Sequence, residues 1–279
     1  MSGPGSSTGG NPLAGFMRRY RNELGLVLAI LVVVGITAAC SNSYRLKPVQ
    51  NATEILRQSS LLGIFALGAA IVIISGGIDL SAGSVIAFSG SICASILLAL
   101  TPRDADGALL TEQLTITTIV IAMLGTLLAA FLIGTLHAWL ITVVGLPPFV
   151  ATLASLVGLR SLSRVYVQEV TQAVTGTGKN TQIYIYDPSF NALGQIWWVP
   201  LAVFLSLSLL AWVLMSRTVT GRHLYAMGGN EAAARLSGIR TERLKWLAYS
   251  LSATTAAGRP ASRSSWLPGG RRCCARRTS

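Results

Sequence analysis

The sequence predicts an all-α fold, a polytopic transmembrane helical bundle with about six spans and a truncated seventh. First, the 279 residues are 52% hydrophobic and only 11% charged, whereas about a quarter of the residues of a soluble domain are charged. Second, apolar runs recur that are long enough to cross about 30 Å of hydrocarbon as helices. Third, the charges of three intervening loops agree with the positive-inside rule.

The N-terminal segment precedes the first span. Residues 1–17 are rich in Gly, Ser and Pro, which predicts a disordered tail. Arg18, Arg19 and Arg21 then precede the apolar run Leu24–Cys40 and place its start on the cytoplasmic side. We interpret this run as an uncleaved first span, because no small-residue cleavage site followed by a soluble domain is present.

Five more apolar runs follow, and a further one opens near Trp246. We therefore assign residues 18–257 to one transmembrane domain that is incomplete at its C-terminal end. The five additional predicted spans are Ser59–Ser75, Val85–Leu100, Leu114–Val144, Phe149–Val167 and Ile196–Met215.

Loop charge agrees with this order of spans. With a cytoplasmic N-terminus, residues 101–113 lie outside, and their one arginine and three acidic residues give a net charge of −2. Residues 216–245 lie inside, and their six basic and two acidic residues give a net charge of +4. The stretch 41–58 does not follow the positive-inside rule, because it is placed outside although it is basic.

The segment "SGGIDLSAGS", residues 75–84, interrupts the apolar pattern between the second and third spans. Its glycines end a helix, and the side-chain oxygens of Asp79 and Ser81 can cap the next one. Alternatively, freed backbone groups and hydroxyls line a polar path, as at discontinuous transporter helices. Asp79 should not face lipid, and we favour a gate or cap over direct solute binding. The candidate gate or pathway residues here are Gly76, Gly77, Asp79, Ser81 and Ser84.

The segment "GLPPFVATL" adds Pro147 and Pro148 to these candidates. The two prolines should end one span and start the next, and a hinge between helices is their expected use. The hydroxyls of Thr152 and Ser155 can contact solute or bond the preceding helical turn. His137 is either a pathway residue or a histidine satisfied by a neighbouring helix.

The basic loop 216–245 contains a short helix signal. Asn230 is a good N-cap, Glu231 suits the positive end of the helix dipole, and "EAAARL" favours helix before "SG" ends it. The loop is either a rigid docking piece or an ordinary basic loop that enforces topology.

Three segments in order, namely 75–84, "LITVVGLPPFVATLASLVGLRSL" and "GRHLYAMGGNEAAARLSGI", give the chain a specific resemblance over roughly residues 20–255. It resembles the permease subunits of ribose-type ATP-binding cassette importers for monosaccharides, related to the branched-chain permeases. His137 and Ala138 stand where that family usually has Asn-Gly.

The resemblance implies a multi-pass protein of the bacterial inner membrane, with the loop helix as the coupling helix that docks on an ATPase. The implied partners are a separate ATPase subunit, an extracytoplasmic sugar-binding protein, a second permease copy forming a homodimer, and the lipid bilayer. The implied ATPase-coupling residues are Gly229, Asn230, Glu231, Ala232, Ala233, Arg235 and Gly238.

Other function classes find no support in the sequence. It contains no P-loop, no hydrolase motif and no paired-cysteine metal spacing, so we expect no catalytic residue, metal or cofactor, and ATP hydrolysis on another polypeptide. The net charge of +12 is concentrated in loops and in the C-terminal segment, so we expect no nucleic-acid partner.

The resemblance stops at Gly258. Residues 258–279 are rich in Arg, Ser, Pro and Gly, and they interrupt an opened span. We favour a shifted reading frame over a basic tail that binds anionic lipid. The alternative to a sugar permease is accordingly a non-transporting membrane fragment, or a membrane scaffold or regulator.

Overall fold

The computed structural model describes residues 21–40, 46–102, 114–176, 183 and 196–257. The predicted tails at residues 1–17 and 258–279 lie outside these ranges. Within them the fold is helical and has no strand. The helices are α1 (Arg21–Cys40), α2 (Pro48–Ile74), α3 (Ala82–Ala99), α4 (Ile116–Thr142), α5 (Pro148–Thr175), α6 (Trp198–Arg217), α7 (Val219–Gly229), α8 (Glu231–Leu236) and α9 (Thr241–Ala257).

The predicted spans correspond to α1 through α6. In the described ranges, α2 to α6 are long and apolar enough to cross a membrane, and α1 contributes the shorter apolar run Leu24–Cys40. The all-α, multi-pass prediction is therefore confirmed. Helix ends differ from the apolar runs: α2 begins at Pro48 within the stretch predicted as a loop, and α5 continues to Thr175. Helical hydrogen bonding continues through polar residues, which hydropathy alone does not register.

The chain divides into two compact units, residues 1–55 and 56–279, with the boundary inside α2. The first contains α1, whose apolar side chains from Leu26 to Val33 are mostly exposed. Exposed apolar side chains on a helix of this kind are suited to contact with lipid.

Three hydrophobic clusters in the second unit follow α4 along its length. One surrounds Ala138 and includes residues of α7, α8 and α9. The next joins Ala130 and Ile133 to α3 and α9. The last joins Ile119 and Ala122 to the far end of α3. The bundle is therefore packed from the end that carries α7 and α8 to the opposite end.

Helix α9 packs closely against both α2 and α4. A Cβ atom on Gly134 of α4 would lie 2.7 Å from the Cα atom of Ser250, and one on Gly68 of α2 would lie 2.9 Å from the Cα atom of Ser252. In membranes, small residues allow helix backbones to approach in this way. The helix predicted only to open near Trp246 thus begins at Thr241 and lies inside the bundle.

Candidate functional site

The segment between α2 and α3 is a sharp break in the helical chain. Helix α2 ends at Ile74, Gly76 adopts a φ of 80°, and α3 begins at Ala82. A positive φ of this size is readily adopted by glycine because it has no Cβ atom. The predicted interruption at Ser75, Gly76 and Gly77 is confirmed.

Asp79 is held by hydroxyl groups at this break. Its Oδ1 atom accepts a 2.9 Å hydrogen bond from the backbone amide of Ser81 and a 2.6 Å bond from the Ser81 hydroxyl. Its Oδ2 atom accepts a 2.8 Å bond from the Ser252 hydroxyl of α9. The carboxylate therefore faces a protein partner, as a charged group near hydrocarbon requires.

One prediction about the capping of α3 is wrong. Ser81 occupies the N-cap position, but its side chain makes no capping bond to the helix. Its hydroxyl donates to Asp79 instead, because the carboxylate is the stronger acceptor within reach. Asp79 bonds the Ser81 amide, so it secures the turn before the helix.

The "GLPP" turn lies against the same break. Helix α5 begins with Pro148 at its first position, after Gly145 at a φ of 78°, so the predicted end of one span and start of the next is confirmed. Thr152 donates to the carbonyl of Pro148 at 2.9 Å and approaches that of Ile78 at 3.3 Å. Ser84 likewise donates to the carbonyls of Ser81 at 2.5 Å and Ser155 at 3.3 Å. Both hydroxyls thus bond carbonyls at helix starts, while Thr152 also links α5 to the break and Ser84 links α3 to α5.

Helices α7 and α8 form the predicted loop structure. The Asn230 side chain accepts a 3.0 Å hydrogen bond from the Ala233 amide, which confirms the N-cap. Glu231 forms a 2.6 Å ion pair with Lys245 of α9 and a 3.5 Å pair with Arg235. Gly238 then ends the segment at a φ of 81°. The loop helix is therefore tied to α9.

Gly228 brings this loop into backbone contact with the helix break. A Cβ atom there would overlap the carbonyl oxygen of Ile74, the last residue of α2, and would lie 3.3 Å from the amide nitrogen of Gly76. Leu146 of the "GLPP" turn packs on the cluster that includes Leu224 and Ala234 of the loop. The three motifs singled out in the sequence thus meet at one end of the bundle.

Two more polar side chains are buried near Asp79. His137 of α4 and Tyr249 of α9 are each only 1% exposed, and both interact electrostatically with the Asp79 carboxylate. In the described part of the chain, the His137 Nε2 atom has no hydrogen-bond partner, and the Tyr249 hydroxyl lies near the backbone of Ile78 without a bond of hydrogen-bond geometry. The Tyr249 hydroxyl lies against Gly77, where an added Cβ atom would approach it to 2.6 Å.

A family model described as branched-chain amino acid transport system, permease component, matches residues 51–258. The chain belongs to this permease family. It is 31% identical to the ribose import permease protein of Escherichia coli K12, over 85% of this chain and 67% of the relative. It is 32% identical to the ribose import permease protein of Bacillus subtilis strain 168, over 82% of this chain and 64% of the relative. It is 29% identical to the D-allose transport system permease protein of E. coli K12, over 79% of this chain and 60% of the relative. No solved structure gives a significant match.

The chain spans about two thirds of the length of these curated relatives. As a member of the permease family it is a multi-pass membrane protein, in agreement with its apolar helices. The roles assigned to the gate and coupling residues stay predictions.

The permease carries site residues that the sequence patterns did not single out, namely Gly228, Tyr249 and Ser252. The sequence gives no signal that distinguishes Gly228 from other loop glycines, because its contact with Ile74 appears only in the structure. Ser252, Ala253 and Ala256 form a row of small residues at helical spacing, which was a signal for close packing of α9.

Proposed function

We propose that the chain is the transmembrane subunit of an ATP-binding cassette importer that passes a monosaccharide through the bacterial inner membrane. A separate ATPase drives the cycle, an extracytoplasmic protein delivers the sugar, and a second copy of the chain completes the path. The sugar class is inferred from relatives whose names specify ribose import, D-allose transport and galactose/methyl galactoside import.

The observation that carries the proposal is the contact of the loop helices with the broken end of α2. Gly228 abuts Ile74 at the break, and Lys245 joins Glu231 of α8 to α9, which in turn bonds Asp79. A force applied to α8 would reach the candidate gate by two routes, namely the backbone contact of Gly228 in the adjoining α7 and the side-chain contacts of Lys245 and Ser252 on α9. Packed elements transmit displacement efficiently because interiors have low compressibility.

The loop also offers an outward surface for an ATPase. Its inner face buries Leu224, Met227 and Ala234, whereas Leu236 is 91% exposed and the Arg235 side chain 61% exposed. Apolar and arginine side chains of this kind are suited to a protein interface. The charges of the loops support an orientation with the N-terminus and this loop in the cytoplasm.

Substitution of Leu236 tests the docking role. Leu236→Glu should reduce sugar uptake and sugar-stimulated ATP hydrolysis at least about tenfold, because a buried charge at a docking surface is costly. Membrane insertion and thermal stability should be unchanged, since Leu236 is almost fully exposed.

Leu236→Met, which keeps an apolar side chain of similar volume, is the matched control and should retain uptake. Wild-type uptake by Leu236→Glu would contradict the docking role. Stable assembly of the wild-type chain with an ATPase but without uptake of any sugar would favour a scaffold or regulator.

A further inference from the structure

The polar group around Asp79 has more hydrogen-bonding capacity than it uses. Ser81 and Ser252 bond the carboxylate, but the Tyr249 hydroxyl and His137 Nε2 atom are buried without a partner among the described residues. A buried polar group left unpaired destabilises a fold by about 1–3 kcal/mol. Such groups in a native structure call for an explanation.

Helix packing does not require these two polar atoms. Neither the Tyr249 hydroxyl nor His137 Nε2 joins helices, unlike the Ser163 hydroxyl, which bonds Ser91 across α3 and α5 at 3.2 Å. The Tyr249 hydroxyl instead lies against Gly77 of the break, and His137 lies about one helical turn after Gly134, where α4 packs on the backbone of Tyr249. Both groups lie within electrostatic range of the Asp79 carboxylate, which is an acceptor. These groups combine donors and acceptors, and sugar hydroxyls both donate and accept.

We propose that Asp79, His137 and Tyr249 form a transit site that contacts the hydroxyl groups of the permeating sugar at the candidate gate. The inference rests on the proposed function. In this structure His137 of α4 and Tyr249 of α9 are buried, whereas Asp79, in the break after α2, is partly exposed. When the break moves with the loop helices, the His137 and Tyr249 atoms become able to bond the hydroxyl groups of the sugar. These bonds replace the hydrogen bonds to water that the sugar loses in a narrow passage, as polar groups do in other pores.

The test is Tyr249→Phe in membrane vesicles that contain the full chain, its ATPase and its binding protein, with radiolabelled D-ribose. We expect the maximal uptake rate to fall about tenfold, which corresponds to loss of one hydrogen bond in transit. The KM for external ribose should be unchanged if the binding protein determines capture. Thermal stability should equal or exceed that of the wild type, because an unpaired buried hydroxyl is removed.

Ser95→Ala is the matched control. Ser95 also carries a buried hydroxyl without a partner in the described ranges, but it lies on α3 about 20 Å along the helix from Ser81. Its removal should leave the uptake rate unchanged. An equal loss in Ser95→Ala, or no loss in Tyr249→Phe, would overturn the proposal.

Monodeoxy riboses separate solute contact from gate packing. If Tyr249 contacts a sugar hydroxyl, the fold-loss caused by Tyr249→Phe should shrink for at least one analogue that lacks its partner hydroxyl. An equal fold-loss for every analogue, or a rise in sugar-independent ATP hydrolysis without loss of rate, would assign Tyr249 to a mechanical latch and overturn the transit site.

Uptake by the wild-type chain separates the two proposals. If wild-type vesicles take up neither ribose, allose nor galactose, the proposed function fails and the transit site fails with it. If they take up one of these sugars and Tyr249→Phe behaves as wild type with that sugar, the transit site alone fails.

Discussion

Gly228 joins the loop helices to the candidate gate through backbone contact. Its Cα carbon is opposite the last carbonyl of α2, and the neighbouring Gly76 has the positive φ that turns the chain away. Because both partners are backbone atoms, neither can rotate away as a side chain would. Any side chain at position 228 must therefore displace one of the two segments.

Gly228→Ala should destabilise the folded protein by about 1–3 kcal/mol, the range for overpacking a filled site. The measurement is the thermal midpoint of the detergent-solubilised chain. Gly229→Ala is the matched control for stability, because an added Cβ atom at the next residue meets nothing within 4 Å. Equal midpoints for the two variants would show that the loop does not press on Ile74.

Asp79 illustrates which residue-level predictions the sequence supports. A carboxylate beside two apolar runs must have a partner, so its orientation away from lipid was predictable from the free energy of burying charge. The identity of that partner was not, because Ser252 lies 173 residues away along the chain. Ser81 was predicted as a cap because local geometry permits it, but the competition for its hydroxyl is decided by the nearby carboxylate.

Helix α9 connects several parts of the second unit by direct contact. It contacts α2 at Gly68 and α4 at Gly134, and it contributes Tyr249 and Ser252 to the polar group around Asp79. Its Trp246 also donates a 3.0 Å hydrogen bond to the Thr142 hydroxyl at the end of α4. Without a hydrophobic force between helices in lipid, such close packing and hydrogen bonding hold helices together.

Gly134→Ala should therefore weaken the bundle by about 1–3 kcal/mol, since its Cβ atom would press on the backbone of Tyr249 and Ser250. Gly158→Ala on α5 meets nothing within 4 Å and should be neutral or stabilising by up to about 1 kcal/mol. The yield of folded protein in the membrane fraction and its resistance to heat would distinguish the two. A Gly134→Ala protein as stable as Gly158→Ala would contradict the α4–α9 packing.

Hydropathy located the apolar helices α1 to α6 but did not predict which helices pack against one another. A run of apolar residues has the same low transfer free energy whether it faces lipid or another helix, so the pairing of α3 with α5 or of α9 with α4 was not predictable from composition. The turns were predictable where chemistry is local, at Gly76, Pro148 and Asn230. The ends of α2 and α5 were not, because helices continue into polar sequence.

At the scale of the whole molecule, the three motifs converge because two short connections lie at the same end of the bundle as the loop helices. The α2–α3 break and the α4–α5 turn are each only a few residues long. The loop contacts the break through Gly228, and it shares a hydrophobic cluster with Leu146 of the turn. Leu100 follows α3 about 27 Å away along the helix axis, at the opposite end. The three motifs therefore lie on the same side of the membrane, whichever way the bundle is oriented.

Cysteine accessibility tests that orientation. In a background without the four native cysteines, Leu236→Cys and Val144→Cys should react with a membrane-impermeant maleimide only after cells are opened, because both exposed positions lie at the proposed cytoplasmic end. Leu100→Cys, also exposed, should react in intact cells. Labelling of Leu236→Cys from outside would place α8 beyond the reach of an ATPase. Labelling of Val144→Cys and Leu236→Cys from opposite sides of the membrane would contradict the convergence of the motifs. Labelling of both positions from the inside would place the basic loop, the turn and the break together on the cytoplasmic side, where an ATPase can act on them.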